Sequence, residues 1–247
     1  MTGSWKRRGP LTILTAGVLS AAMLLAGCGQ IPDSPLGASE QRGAAPEKSA
    51  EAEPSKAAPL DCEYTETGTA TRPVDPPPST GVPMKGTATA VIKMSAGTIT
   101  VTLDRTRSPC TVNSFVSLAE QHFYDATSCP RMTDAGTLFM LQCGDPSKRG
   151  DRSGGPGYSF PDELSGDESY GEGTVAMANS GPNSNGSQFF LVYRNSQLDP
   201  NYTVFGTMDA AGIAVLNKIA KGGVDNSNGA HDGKPKSEAK IISVTVS

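Results

Sequence analysis

Gly173-Thr174-Val175-Ala176-Met177-Ala178-Asn179-Ser180-Gly181-Pro182-Asn183-Ser184-Asn185-Gly186-Ser187-Gln188-Phe189-Phe190 is the stretch on which the fold turns. Val175–Ala178 and Gln188–Val192 read as short strands, and the Asn, Ser, Gly and Pro residues between them supply turn chemistry. Outward from this stretch the same rhythm continues. Toward the N-terminus, Ala88–Met94 and Thr98–Leu103 alternate, are rich in β-branched residues and flank Ser95-Ala96-Gly97, which predicts a hairpin. Ser108-Pro109 ends the second of these strands, and Val112, Phe115, Val116 and Ala119 then fall at helical spacing over Val112–Gln121. Further strands are expected near Ser128–Thr133, Leu138–Gln142 and Thr203–Thr207. A second helix is expected over Ala211–Ile219 and a closing strand over Lys240–Val246. Many short strands with two helices predict a mainly β domain, a closed antiparallel barrel with helical plugs.

The Gly173–Phe190 run resembles, almost position by position, the central signature of the cyclophilins. Val112-Asn113-Ser114-Phe115, Phe123-Tyr124-Asp125, Phe139-Met140-Leu141-Gln142, Gly144-Asp145-Pro146, Gly154-Gly155-Pro156-Gly157-Tyr158 and Val204-Phe205-Gly206 agree in order and spacing. The resemblance covers about residues 87–247. It implies a closed eight-stranded antiparallel barrel capped by two α-helices, and peptidyl-prolyl cis-trans isomerase activity on proline-containing polypeptides.

An Xaa-Pro bond isomerises over a barrier of ~18–20 kcal/mol, and a barrier of about 20 kcal/mol allows about 0.01 per second unaided. Turnover near 10³ per second needs about 7 kcal/mol of extra transition-state stabilisation. No bond breaks, so neither nucleophile, metal nor cofactor is required. The twisted imide loses conjugation and its nitrogen becomes a better hydrogen-bond acceptor, so a fixed cation aimed at that nitrogen favours the twisted state. Arg131 matches the family's catalytic arginine. Phe139, Met140, Phe190 and Leu198 match its apolar proline pocket. Gln142 matches the residue that bonds the substrate backbone, and Ala178 and Asn179 match the residues contacting the position before proline. Gln188 and Tyr202 complete the implied groove. The alternatives are a binding module for proline segments, or a holdase chaperone with little turnover.

Three positions depart from the family pattern. Gln197 stands where many relatives carry the tryptophan that helps bind cyclosporin, so weak cyclosporin binding is expected. Tyr202 replaces a histidine, and Pro130 replaces another just before the arginine. The connection Met132–Leu138 is about three residues longer than in many relatives, which bears directly on how Arg131 is placed.

The first third of the chain has another character. Lys6-Arg7-Arg8, the uncharged run Leu11–Leu25 and Leu25-Ala26-Gly27-Cys28 have the make-up of a signal peptide over residues 1–27. The apolar run is short for a bilayer span. A cysteine after Ala-Gly resembles the bacterial lipobox, so Cys28 is expected to be lipidated, anchoring the protein at the extracytoplasmic face of the cell membrane. Residues 28–85 are rich in Pro, Ala, Ser and Glu and are expected to form a disordered tether, with the isomerase domain at 86–247.

The formal net charge of −4, without a basic cluster beyond the N-terminus, gives no footprint for nucleic acid. The absence of paired Cys-x-x-Cys motifs argues against zinc. The two histidines, His122 and His231, build no hydrolase site, and nothing in the pattern suggests more than a monomer. Besides Cys28, four cysteines remain, and an even count in an exported domain favours two disulfides with three connectivities. The fold that the resemblance implies makes Cys129 and Cys143 hairpin neighbours, which leaves Cys62 with Cys110. The alternative is four free, packed thiols.

Overall fold

The computed structural model describes residues 61–147 and 149–247. The expected signal peptide, lipidated Cys28 and residues 28–60 of the expected tether lie outside these residues. In chain order the elements are β1 (Thr65–Glu66), β2 (Thr87–Met94), β3 (Gly97–Asp104), α1 (Pro109–Glu120), β4 (Thr127–Ser128), β5 (Arg131–Ala135) and β6 (Leu138–Cys143). Then follow β7 (Tyr158–Ser159), β8 (Thr174–Met177), β9 (Phe189–Val192), β10 (Val204–Met208), α2 (Ala210–Ala220), β11 (Asp232–Gly233) and β12 (Lys240–Val246).

Ten strands join in one antiparallel sheet of order β11-β5-β6-β9-β8-β10-β3-β2-β12-β4. The sheet curls, because β4 at one end and β5 near the other are joined by Cys129-Pro130 alone. Eight of these strands are four residues or longer. The single strand expected over Ser128–Thr133 is thereby divided at Pro130, which has no N–H to give to a ladder. The first hairpin follows the expected reading: β2 and β3 pair in unbroken register from Thr87↔Asp104 to Met94↔Gly97. Gly97 closes it at φ +151°, and a Cβ there would meet Val215 Cγ2 of α2 at 2.6 Å. Helix α1 starts three residues before the expected Val112, with Pro109 in its first turn where a missing N–H costs nothing. Its free N–H groups are met from afar: Cys110 N and Thr111 N donate to the Glu163 carboxylate at 2.9 and 2.8 Å.

The sheet is buried on both faces around β9, so Phe189-Phe190-Leu191-Val192 is apolar throughout instead of alternating. Phe189 and Leu191 point inward with Phe115, Phe205, Tyr124 and the buried faces of α1 and α2. Phe115 lies 5.1–5.5 Å, centroid to centroid, from Tyr124, Phe205 and Phe189. Phe190 and Val192 point to the other face, with Met140, Ala176 and Tyr170.

Residues 61–85 differ from the tether expected up to 85. They form a strap packed on the sheet's outer loops, with Cys62 and Val82 buried. The strap is held by the Cys62–Cys110 disulfide and by the β1–β7 pairing Thr65↔Ser159 and Glu66↔Tyr158. Arg72 Nη1 donates to the carbonyls of His122, Phe123 and Asp125 at 2.8–2.9 Å. The second disulfide joins Cys129 to Cys143. Both pairs are those expected from the implied fold.

Candidate active site

The hairpin β5–β6 sets the site. Its ladder runs Arg131↔Gln142, Met132↔Leu141, Thr133↔Met140, Asp134↔Phe139 and Ala135↔Leu138, turning at Gly136-Thr137. The extra residues of the connection therefore lengthen a regular ladder, and Arg131 stays directly opposite Gln142. Side chains alternate along a strand, so Leu138, Met140 and Gln142 share the outer face with Arg131. Phe139, Leu141 and Met132 face the other way.

This parity corrects one expectation. Phe139 does not line the groove. Its ring packs edge-on to Tyr193 at 6.0 Å and carries the Arg194 guanidinium at 4.8 Å from its centroid. Leu138, one residue earlier and two from Met140, takes the groove position instead.

The groove encloses about 440 Å³ and brings together Arg131, Met140, Gln142, Ala178, Asn179, Gln188, Phe190, Leu198 and Tyr202. Leu138, Ser180, Asp151 and Arg152 border it as well. The floor is apolar: Met140 and Phe190 come from neighbouring strands, and the Phe190 and Tyr202 rings meet edge-on at 5.6 Å. Tyr202 is fixed through its main chain, whose N–H donates to the Tyr170 hydroxyl at 3.0 Å. The Asn179 side chain is engaged, donating to the Asn201 carbonyl at 2.8 Å. Gln197 is exposed and lies outside the groove wall.

A polar relay runs along one side. Gln188 Nε2 donates to the carbonyls of Arg152 and Gly154 at 2.8 and 2.9 Å, and its Oε1 accepts from Gln142 Nε2 at 2.9 Å. That orientation leaves Gln142 Oε1 turned toward Arg131 Nη1, at 3.5 Å. Asp232 of β11 grips the other edge of the guanidinium. Nε donates to Oδ1 at 2.9 Å and Nη2 to Oδ2 at 2.7 Å. These bonds raise the Arg131 pKa above its ordinary value, and burial opposes them only in part. The same bonds hold the Asp232 carboxyl below the usual carboxylate range. Arg131 is therefore a half-buried permanent cation. It carries no transferable proton, but it can offer a charged N–H to an acceptor in the groove.

Of the residues bordering this site, sequence reading missed Asp232 and Leu138 above all. Leu138 could have been found by counting in twos from Gln142. Asp232 had no local signal, lying 101 residues from Arg131.

Comparisons with known proteins point to one family. The family model "Cyclophilin type peptidyl-prolyl cis-trans isomerase/CLD" matches residues 89–246. A probable peptidyl-prolyl cis-trans isomerase B of Mycobacterium leprae is 47% identical over 199 residues, 75% of this chain and 66% of that relative. Its counterpart in Mycobacterium tuberculosis is 46% identical over 198 residues, 74% of this chain and 63% of the relative. The matches thus span about two thirds of these relatives' own lengths. Among solved structures, a Cryptosporidium parvum cyclophilin-type peptidyl-prolyl cis-trans isomerase superposes with a TM-score of 0.56 at 27% identity, covering 66% of this chain and 98% of that one. The same protein in the presence of the dipeptide Ala-Pro gives 0.55 at 28% identity, covering 64% and 98%.

Proposed function

The chain belongs to the cyclophilin-type peptidyl-prolyl cis-trans isomerases, and on that premise we propose that its groove isomerises Xaa-Pro bonds with Arg131 as the catalytic residue. The observation that carries this reading is the placement of Arg131 Nη1, the guanidinium nitrogen not bound by Asp232, at the edge of the apolar floor. Met140, Phe190, Leu138 and Leu198 would take the pyrrolidine ring. Gln142, its amide oriented by Gln188, would hold the substrate main chain, and Ala178 and the Asn179 main chain would contact the residue before proline. The solved relative studied with Ala-Pro supports a proline peptide as the ligand class.

Twisting about the imide removes conjugation and puts a lone pair on nitrogen. A charged N–H aimed at that nitrogen strengthens only as the twist develops, so it lowers the barrier and not the ground state. Because Arg131 stays charged at every working pH, the rate is expected to have no titration of its own near neutrality.

The same reading extends to the setting. Two disulfides in the described domain suit an oxidising compartment. With an anchor at Cys28, the protein would act as a monomeric foldase on newly exported chains at the outer face of the membrane. Exposed Gln197 would leave cyclosporin only weakly bound.

The test is isomerisation of an Ala-Pro peptide by the oxidised full chain beside Arg131→Ala. Acceleration that falls a hundredfold or more in the variant, about 3 kcal/mol, is the expected result. Binding of the peptide without acceleration would leave a proline-binding module instead.

A further inference from the structure

We propose that Asp232 is a positioning residue for isomerisation, a built-in clamp that sets which guanidinium nitrogen of Arg131 faces the substrate; the inference rests on the isomerase reading above. A free arginine side chain loses rotamer entropy when it is fixed. Here that ordering is done before substrate arrives. The carboxylate takes Nε and Nη2 together, a bidentate fork that fixes the plane of the guanidinium as well as its place. Only Nη1 is left on the groove side, 3.5 Å from Gln142 Oε1. Arg131 is thus pinned by opposite neighbours, an anion on the outside and a neutral amide on the inside.

Asp232 is itself held as a positioning group must be. It lies on β11, which pairs with β5 through Asp232↔Thr133 and Gly233↔Met132, so it hangs from the strand that carries the arginine. Its Oδ1 also accepts from Asn228 Nδ2 at 3.1 Å. The loop that delivers it is knit internally: the Asp225 carboxylate accepts from Ser227 N at 3.0 Å and Lys234 N at 2.8 Å. On the far side, His231 Nδ1 meets Asp134 Oδ1 at 2.9 Å, and the Asp134 N–H donates to the His231 carbonyl at 3.1 Å. Gly233 is needed for this closeness. A Cβ there would come within 2.7 and 2.9 Å of the Ser227 and Asn226 main-chain nitrogens. The segment 225–234 thus works as a bracket that presents the Asp232 carboxylate to Arg131.

The measurement is a double-mutant cycle in the oxidised full chain, with Ala-Pro peptide isomerisation as the assay and a thermal melt on each variant. Asp232→Ala should lower kcat about tenfold, with KM within about twofold, because the clamp acts on the twisted state. Asp232→Glu should recover part of the loss. In an Arg131→Ala background, Asp232→Ala should change the rate by less than about twofold, since the residue acts only through the arginine. A tenfold loss that persists in that background would mean a merely structural role and overturn the proposal. So would an unchanged or faster Asp232→Ala enzyme, which would make the carboxylate a bystander or a brake. If wild type itself gives no turnover, the isomerase reading fails, and a second readout still decides the clamp. The Arg131 Nε–H should exchange slowly with solvent by NMR in wild type and rapidly in Asp232→Ala, and equal exchange in the two would overturn the clamp.

Discussion

The strap of residues 61–85 and the hairpin β5–β6 are each stapled by one disulfide, yet they are held to the sheet in different ways. The hairpin forms a five-pair ladder of its own and shares four further pairs with β9. Its backbone groups are satisfied whether or not Cys129 and Cys143 are joined. The strap has one two-residue pairing, a few main-chain bonds such as Thr67 N to the Gly157 carbonyl at 2.8 Å, and otherwise hangs on side chains. Arg72 caps three carbonyls, Asn113 Nδ2 donates to the Pro78 carbonyl at 2.8 Å, and Tyr64 sits edge-on to Tyr158 and Phe160 at 5.6 and 5.7 Å. A ladder is cooperative and local, whereas a strap is a set of separate anchors across a long loop. The covalent bond should accordingly matter for docking in one case and for fine geometry in the other.

The largest effect is expected when Cys62 and Cys110 are both changed to Ser. Loop-closure entropy over a separation of 48 residues corresponds to about 4 kcal/mol. A denaturant titration should show that loss, with kcat/KM within about threefold of wild type. Activity falling in step with stability would break the distinction between strap and hairpin.

Cys129→Ser with Cys143→Ser comes second, because the shorter separation of 14 is worth about 3 kcal/mol on the same scale. Here the damage should reach the chemistry. Cys143 adjoins Gln142, and Cys129 lies two residues before Arg131. The ladder should persist while the arginine–glutamine pair loosens, so kcat should fall about threefold even at temperatures where the variant is fully folded, a loss near 0.7 kcal/mol. An unchanged kcat would show that the ladder alone fixes the pair.

The smallest effect is a titration that reads the two regions separately. Burial pushes the Tyr64 phenol of the strap up to about 12, the nearby Glu163 carboxylate adding to it against the hydrogen bond from Asn113. Burial likewise pushes Tyr193, whose hydroxyl donates to Thr133 of the hairpin, up to about 12. A raised phenol contributes stability that is whole below the unfolded value of ~10 and is lost as pH climbs toward 12. Ultraviolet titration, with Tyr64→Phe and Tyr193→Phe to assign the steps, should show both above pH 11 in wild type. In the variant lacking Cys62–Cys110, Tyr64 should return toward ~10 while Tyr193 stays. Tyr64 remaining high there would mean that the side-chain anchors suffice to dock the strap.

The same contrast explains what could be read in advance. The hairpin was legible because strands were expected near Ser128–Thr133 and Leu138–Gln142, and the family motif Phe139-Met140-Leu141-Gln142 lies on the second of them. Its one misreading, Phe139 for Leu138, came from taking a motif position over strand parity, although Gln142 and Met140 already fixed which face was which. The strap misled for the opposite reason. Its average composition is that of a tether, but docking depends on three of its residues, Cys62, Tyr64 and Arg72, whose weight an average hides.

By itself the sequence determined the longer strands, both helices and, through the family motifs, the identity of most residues in the groove, since these follow from propensity, period and motif order within short windows. Only the tertiary structure decided which nitrogen of Arg131 is left for a substrate. That depends on Asp232 arriving from 101 residues away, and a side chain's unfilled hydrogen-bonding capacity is set by whatever the long-range pairing brings beside it.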